Sequence, residues 1–162
     1  MNNRKKCVLS LVFVTLIMIT LFILTTESNA TEIDFKLNIS SNIVYRVTPG
    51  TSYDVFIAQF RNQIANNNDT VELYLGENKV TSGYVATSMS IVKNSSEVYN
   101  IAVLGDIDGN GLFDQIDLSS LIRHYLEIPG YIITDDMKLK AADINNDGVI
   151  NQIDITATIE GI

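Results

Sequence analysis

Cysteine is almost missing from this chain of 162 residues: Cys7 stands alone, at the head of an apolar run. No intramolecular disulfide can therefore brace the fold. A small exported protein without disulfides needs another staple, and bound metal is the usual substitute. Histidine is equally scarce. The single His124 falls near the C-terminal end of an expected helix, where a cation favours the dipole, and reads as a surface helix residue rather than a catalyst. Basic side chains are few where acids are many. From Gly105 to the end there are eleven acids and three bases, against seven and five from Thr31 to Leu104. So dense an acidic block argues against nucleic acid and against anionic membrane surfaces as partners.

The N-terminus has the layout of a secretory signal. Arg4, Lys5 and Lys6 precede an apolar stretch from Cys7 to Leu24, and Ser28-Asn29-Ala30 offers the small residues that a signal peptidase reads. Residues 1–30 are expected to be a signal peptide cleaved after Ala30, which places the protein outside a bacterial cell or on its surface. The alternative is a retained membrane anchor, since the run approaches the length of a spanning helix. Cys7 lies at the very start of the run, where no lipid-attachment cysteine would stand. The mature chain, Thr31–Ile162, is long enough for one ordinary domain or two small ones.

Most of the acids of that C-terminal block fall in two stretches of twelve residues, Asp106–Asp117 (DIDGNGLFDQID) and Asp143–Asp154 (DINNDGVINQID), which start 37 positions apart. Both are acidic at positions 1 and 12, carry glycine at 6, and place oxygen-bearing side chains at 3, 5 and 9. That is the ligand spacing of an EF-hand calcium loop. Calcium is a hard cation that takes 6–8 oxygens, so carboxylates and amides must arrive at alternating positions while the backbone curls around the ion. Position 7 (Leu112, Val149) lends only its carbonyl, and an apolar side chain there is expected. Glycine at 6 permits the sharp turn. Position 8 is apolar in both copies (Phe113, Ile150), where paired calcium loops make a short backbone bridge. The duplication makes a chance match improbable, and bound calcium is expected.

The remainder reads as short elements. A loosely alternating stretch, Ile33–Tyr45, suggests one or two strands, and Thr48-Pro49-Gly50 a turn. A helix is predicted over Tyr53–Ile64, with Thr51 and Asp54 placed as a capping box. Strands are predicted at Thr70–Leu75, from Val80, at Val85–Val92 and at Glu97–Leu104. The stretch leading into the first loop (VYNIAVL) is too short and too β-branched to be the entry helix of an ordinary EF-hand. After that loop, Leu118, Leu121, Ile122 and Tyr125 mark a helix stopped at Pro129-Gly130. A short helix over Asp135–Ala142, capped by Thr134, precedes the second loop, and Ile155–Ile159 opens a last one. The fold class expected is an α+β module of one helix on a small sheet (residues 31–104), followed by an all-α pair of loop–helix motifs (residues 105–162).

With both loops, the missing entry helices and the linking helix in view, residues 105–162 resemble a type I dockerin, the duplicated calcium-binding module of cellulosomal and other bacterial surface proteins. The resemblance implies two calcium ions, folding on loading, and docking onto a cohesin domain of a scaffold protein. It implies as ligands Asp106, Asp108, Asn110, the Leu112 carbonyl, Asp114 and Asp117. In the second copy they are Asn145 and Asp147 between Asp143 and Asp154, with the Val149 carbonyl and Asn151. Positions 10 and 11 and the helix beyond would meet the cohesin: Gln115, Ile116, Ile122 and Arg123, then Gln152, Ile153, Ile159 and Glu160. Where the family usually has a small hydroxyl pair, this chain has Gln-Ile, so specificity does not carry over. The second recognition helix reaches only Ile162, which puts symmetric two-way docking in question. Residues 31–104 resemble the small module that precedes dockerin repeats in many Gram-positive exported proteins, through PGTSYDVF, VELYLGENKV and EVYNIAVLGDIDGNG.

Two functions stay open on these residues. In the first, the chain is an exported, calcium-loaded attachment module for a cohesin-like partner in a surface or cellulosome-like assembly, linked to polysaccharide breakdown only by family association. In the second, it is a free-standing structural or stalk protein whose calcium serves folding alone. Gln115-Ile116 and Gln152-Ile153 fit either a partner contact or a loop filler beside a core residue. The acids of the first module (Asp54, Asp69, Glu72, Glu77, Glu97) show no spacing that suggests a glycosidase pair, and no enzyme is expected.

Overall fold

A computed structural model of the protein describes residues 36–38, 41–66 and 68–160. The expected signal segment, residues 1–30, lies outside them. Six strands and four helices run in order: β1 (Lys36–Asn38), β2 (Ile43–Val47), α1 (Tyr53–Ile64), β3 (Val71–Leu75), β4 (Asn78–Val80), β5 (Ser90–Lys93), β6 (Glu97–Val103), α2 (Gln115–Tyr125), α3 (Asp136–Ala142) and α4 (Gln152–Glu160). The strands form one sheet in the order β1-β2-β6-β5-β3-β4. Its pairs are antiparallel except β2 with β6, which run parallel. No helix among the described residues is long and apolar enough to cross a membrane.

Helix α1 is the crossover that makes the parallel pairing possible, because parallel strands need a long connection between them. It buries Phe56, Ile57 and Phe60, at spacings of one turn or less, against Val44, Val47, Leu73, Ile91, Ile101 and Val103. Phe60 meets the Tyr99 ring edge-on at 5.3 Å between centroids. The helix matches its predicted bounds, but the capping box does not form. Ser52 stands at the N-cap without a side-chain bond, and the Thr51 hydroxyl donates to the Thr48 carbonyl at 2.6 Å.

The expected fold class is corrected by this arrangement. The region after residue 104 is not all-α, and the protein is a mixed six-stranded sheet with four helices among the described residues. Helices α2, α3 and α4 occupy less than half of that region. The physical reason lies in the aspartates and asparagines of the two loops. Their side chains bond to nearby backbone N–H groups and hold turns where a helix would otherwise run on. The C-terminal region also shares the sheet, since α3 packs on β2 and β6. Ala102, facing away from the α1 side by strand alternation, is fully buried.

The strand predicted over Val85–Val92 begins only at Ser90. Val85–Met89 is irregular yet buried, apart from exposed Ser88. Alternating apolar residues look like a strand in sequence, but here their N–H groups go elsewhere: Val85 donates to the Thr51 carbonyl and Ser88 to the Ile101 carbonyl. Beneath the C-terminal helices is a second, smaller core of Ile107, Leu121 and Ala142, joined by Ile133, Ile150 and Ile155.

Candidate metal centres and docking face

Each acidic stretch folds as a ladder of side-chain-to-backbone bonds, and the two ladders match position by position. At position 1, Asp106 Oδ1 accepts from the Asn110 N–H at 2.9 Å, and Asp143 Oδ1 from the Asp147 N–H at 3.0 Å. At position 3, Asp108 and Asn145 accept from those same N–H groups. Asn110 and Asp147, at position 5, accept from Leu112 and Val149. Asp114 and Asn151, at 9, accept from Ile116 and Ile153. The position 12 carboxylates close each loop: Asp117 Oδ2 takes the Asp114 N–H at 2.9 Å, and Asp154 Oδ2 the Asn151 N–H at 2.8 Å.

Local chemistry accounts for this geometry. Asp114 caps α2, with Asp117 reaching back to complete a capping box. Gly111 and Gly148 adopt left-handed φ angles of +84° and +88°. Position 4 is left-handed too, occupied by Gly109 and by Asn146, one of the few other residues that tolerate it. Sequence reasoning assigns nothing to position 4, although its two occupants are the available signal.

The ladder draws carboxylates inward. Asp106, Asp117 and Asp154 are fully buried and Asp143 nearly so, whereas Asp108 and Asp147 are exposed. Oxygens of Asp106, Asp108 and Asp117 lie within 4.8 Å of one another. Among the described residues no salt bridge reaches loop 1, and Lys140 lies 3.5 Å from Asp143 in loop 2. Burial pushes the Asp117 carboxyl above the usual carboxylate range, against the pull of the Asp108, Asp114 and Ile107 N–H groups. Buried carboxylates gathered without a cation repel and lose hydration. An all-oxygen donor set of this charge fits a hard divalent ion.

The expected backbone bridge between Phe113 and Ile150 is not formed. The isolated bridge among the described residues joins Ser52 to Tyr84, and the Ile150 side chain packs into the small core instead. His124 is half-buried, and its Nδ1 accepts the Ile133 N–H at 3.1 Å, tying down the segment between α2 and α3.

The residues expected to meet a partner sit at equivalent places on α2 and α4, which pack against each other. Gln115 and Gln152 are exposed. Ile116 and Ile153 are 59% and 58% exposed, so neither is a core residue, and Ile159 is 71% exposed. Ile122 is half-buried, and the exposed Arg123 guanidinium stacks 4.5 Å from the Tyr131 ring centroid. A shallow hollow lies among Gln152, Ile153, Thr156 and Ala157.

Comparison with protein families yields a match of the dockerin type I domain to residues 104–161, which supports a type I dockerin over that part of the chain. Such domains in general are non-catalytic modules that bind calcium, attach to cohesin domains and occur in secreted or cell-surface proteins. Neither the curated proteins nor the solved structures contain a match to this chain.

Proposed function

We propose that residues 105–162 act as a calcium-loaded dockerin that attaches this exported chain, through α2 and α4, to a cohesin-like partner in a surface or cellulosome-like assembly. Residues 1–30 serve as the signal segment and residues 31–104 as the module that carries the dockerin. The observation behind this reading is the repeated exposed isoleucine, Ile116 and Ile153, at the first turn of two packed helices. Matching exposed apolar residues on one pair of helices mark an interaction face. Among the described residues the sheet packs mainly on α3 rather than on α2 or α4, which leaves the two isoleucines exposed.

Two calcium ions would be held by Asp106, Asp108, Asn110, Asp114 and Asp117 with the Leu112 carbonyl, and by Asp143, Asn145, Asp147, Asn151 and Asp154 with the Val149 carbonyl. Calcium supplies the positive charge that lets the buried carboxylates stay ionised. The chain's own ladder of turns then fixes the starts of α2 and α4, and with them the two isoleucines. Nothing in the reading requires catalysis.

Immobilised chain should retain a partner from the host's secreted and surface proteins in calcium and release it with chelator. Ile116→Ala with Ile153→Ala should weaken that capture at least tenfold, since burying one such side chain is worth about 1.5–3 kcal/mol. Undiminished capture by the double variant would refute the docking face. No capture by folded, calcium-loaded chain would favour the structural protein instead.

A further inference from the structure

Loop 1 and loop 2 share one internal ladder but have different surroundings. In loop 1 the second oxygen of the position 1 carboxylate is turned outward to the sheet module: Asp106 Oδ2 accepts the buried Thr87 N–H at 2.7 Å. Thr87 is itself locked to the central strand, its hydroxyl accepting the Val103 N–H at 3.0 Å. A second tie runs from the Gly50 N–H to the Gly111 carbonyl at 2.8 Å. The approach is so close that a Cβ on Gly111 would stand 2.6 Å from the Val85 carbonyl oxygen. In loop 2 the second oxygen of Asp143 accepts the Gly148 N–H inside its own loop, and a Cβ on Gly148 would meet open space. Among the described residues loop 2 touches the sheet only through side chains. Arg46 donates to the Ile144 carbonyl at 3.0 Å, where position 2 offers no ligand. The half-buried Lys140, 3.5 Å from Asp143 Oδ2, lies over the Tyr45 ring of β2, an indirect link with no backbone donor from the sheet on the carboxylate.

We propose that loop 1 is clamped to the sheet module through Asp106 and Gly111, so that calcium held in loop 1 stabilises the sheet, whereas calcium in loop 2 does not. This rests on the calcium reading above. The physical link is direct. Asp106 shares one carboxylate between the ion and the Thr87 N–H, and a carboxylate held in place by the ion is an acceptor already positioned for that donor. Loss of the ion leaves Asp106 and Asp117 as buried, neighbouring charges, and opening of loop 1 relieves that repulsion by returning them to water. Opening withdraws the acceptor from Thr87 and uncovers the irregular segment Val85–Met89, which lies against Phe56, Phe60 and Ile91 in the main core.

Amide hydrogen exchange on the full chain, with calcium uptake followed by calorimetry, tests this. Asp108→Ala and Asp147→Ala each remove an exposed carboxylate whose hydrogen bonds stay within its own loop. Chelation of the wild type should speed exchange at Thr87 and along β5 and β6 at least tenfold. Asp108→Ala should reproduce that in the presence of calcium, and Asp147→Ala should leave it unchanged. The inference is overturned if calorimetry shows both loops filled and chelation leaves the exchange of the sheet unaltered. It is equally overturned if Asp147→Ala exposes the sheet as much as Asp108→Ala. If the wild type takes up no calcium, the calorimeter reports failure of the underlying calcium reading instead, and this inference falls with it.

Discussion

Gly111 and Gly148 have nearly the same left-handed backbone, but their neighbours differ. Replacing Gly148 with alanine adds only backbone strain, about 1–2 kcal/mol for a non-glycine residue in that conformation. Gly111→Ala carries the same strain and also drives a methyl group into the Val85 carbonyl. It should therefore cost measurably more, because overpacking adds about 1–3 kcal/mol. Chemical denaturation of the two single variants, in saturating calcium, checks this; equal losses would mean that Val85 and Tyr84 yield freely. The pattern of identical residues in the two repeats gives no hint of the difference. Asp106, like Gly111, is matched in sequence by its counterpart, and its bond to a residue 19 positions earlier exists only once the sheet is assembled.

Among the elements, those with a strong local signal are legible. Helix α1 can be read within its bounds from Phe56, Phe60 and Ile64, and the loop frame from alternating oxygens and glycine. Strand β6 can be placed to within a residue. The parallel pairing of β2 with β6 is not legible, because register across a crossover is decided by packing under α1 rather than by either strand alone. A bulge makes it harder still: Arg46, at φ +61°, interrupts the β2 register and turns towards loop 2. The irregular Val85–Met89 imitates a strand because burial, not pleating, selects its apolar residues. Helix α3 shows a smaller displacement. Its cap is Asp135, accepting from Met137 and Lys138 at 3.0 and 2.9 Å, rather than the expected Thr134. Asp135→Ala should lower stability by about 1 kcal/mol, read as a shift in the midpoint of thermal unfolding. Thr134→Ala should leave the midpoint nearly unchanged.

For the whole molecule, two cores of unequal size imply two sources of stability. The sheet and α1 bury a broad apolar cluster and take α3 against β2 and β6, while α2 and α4 rest on a cluster of three buried apolar residues and a few half-buried ones. So small a core cannot hold α2 and α4 by apolar burial alone, particularly with four buried carboxylates beside it. Chelation should therefore remove most of the helical circular dichroism contributed by the C-terminal region, and calcium should restore it. A helical signal indifferent to chelator would show that the carboxylates are tolerated without an ion. Replacing calcium with magnesium should restore less, since the smaller ion dehydrates reluctantly and demands stricter octahedral geometry.

Loop 1 contains the pair Asn110-Gly111, a place where a peptide chain ages: the unhindered glycine nitrogen can attack the asparagine side chain and release ammonia. In the folded loop that side chain is held, its Oδ1 accepting the Leu112 N–H at 2.7 Å and its Nδ2 donating to Asp108. The turn that spaces the loop's oxygens would thus also shield that amide from attack. Protein stored with chelator should accumulate deamidated Asn110, visible by peptide mass spectrometry, faster than protein stored in calcium. The ion would then govern how long the chain lasts as well as its shape.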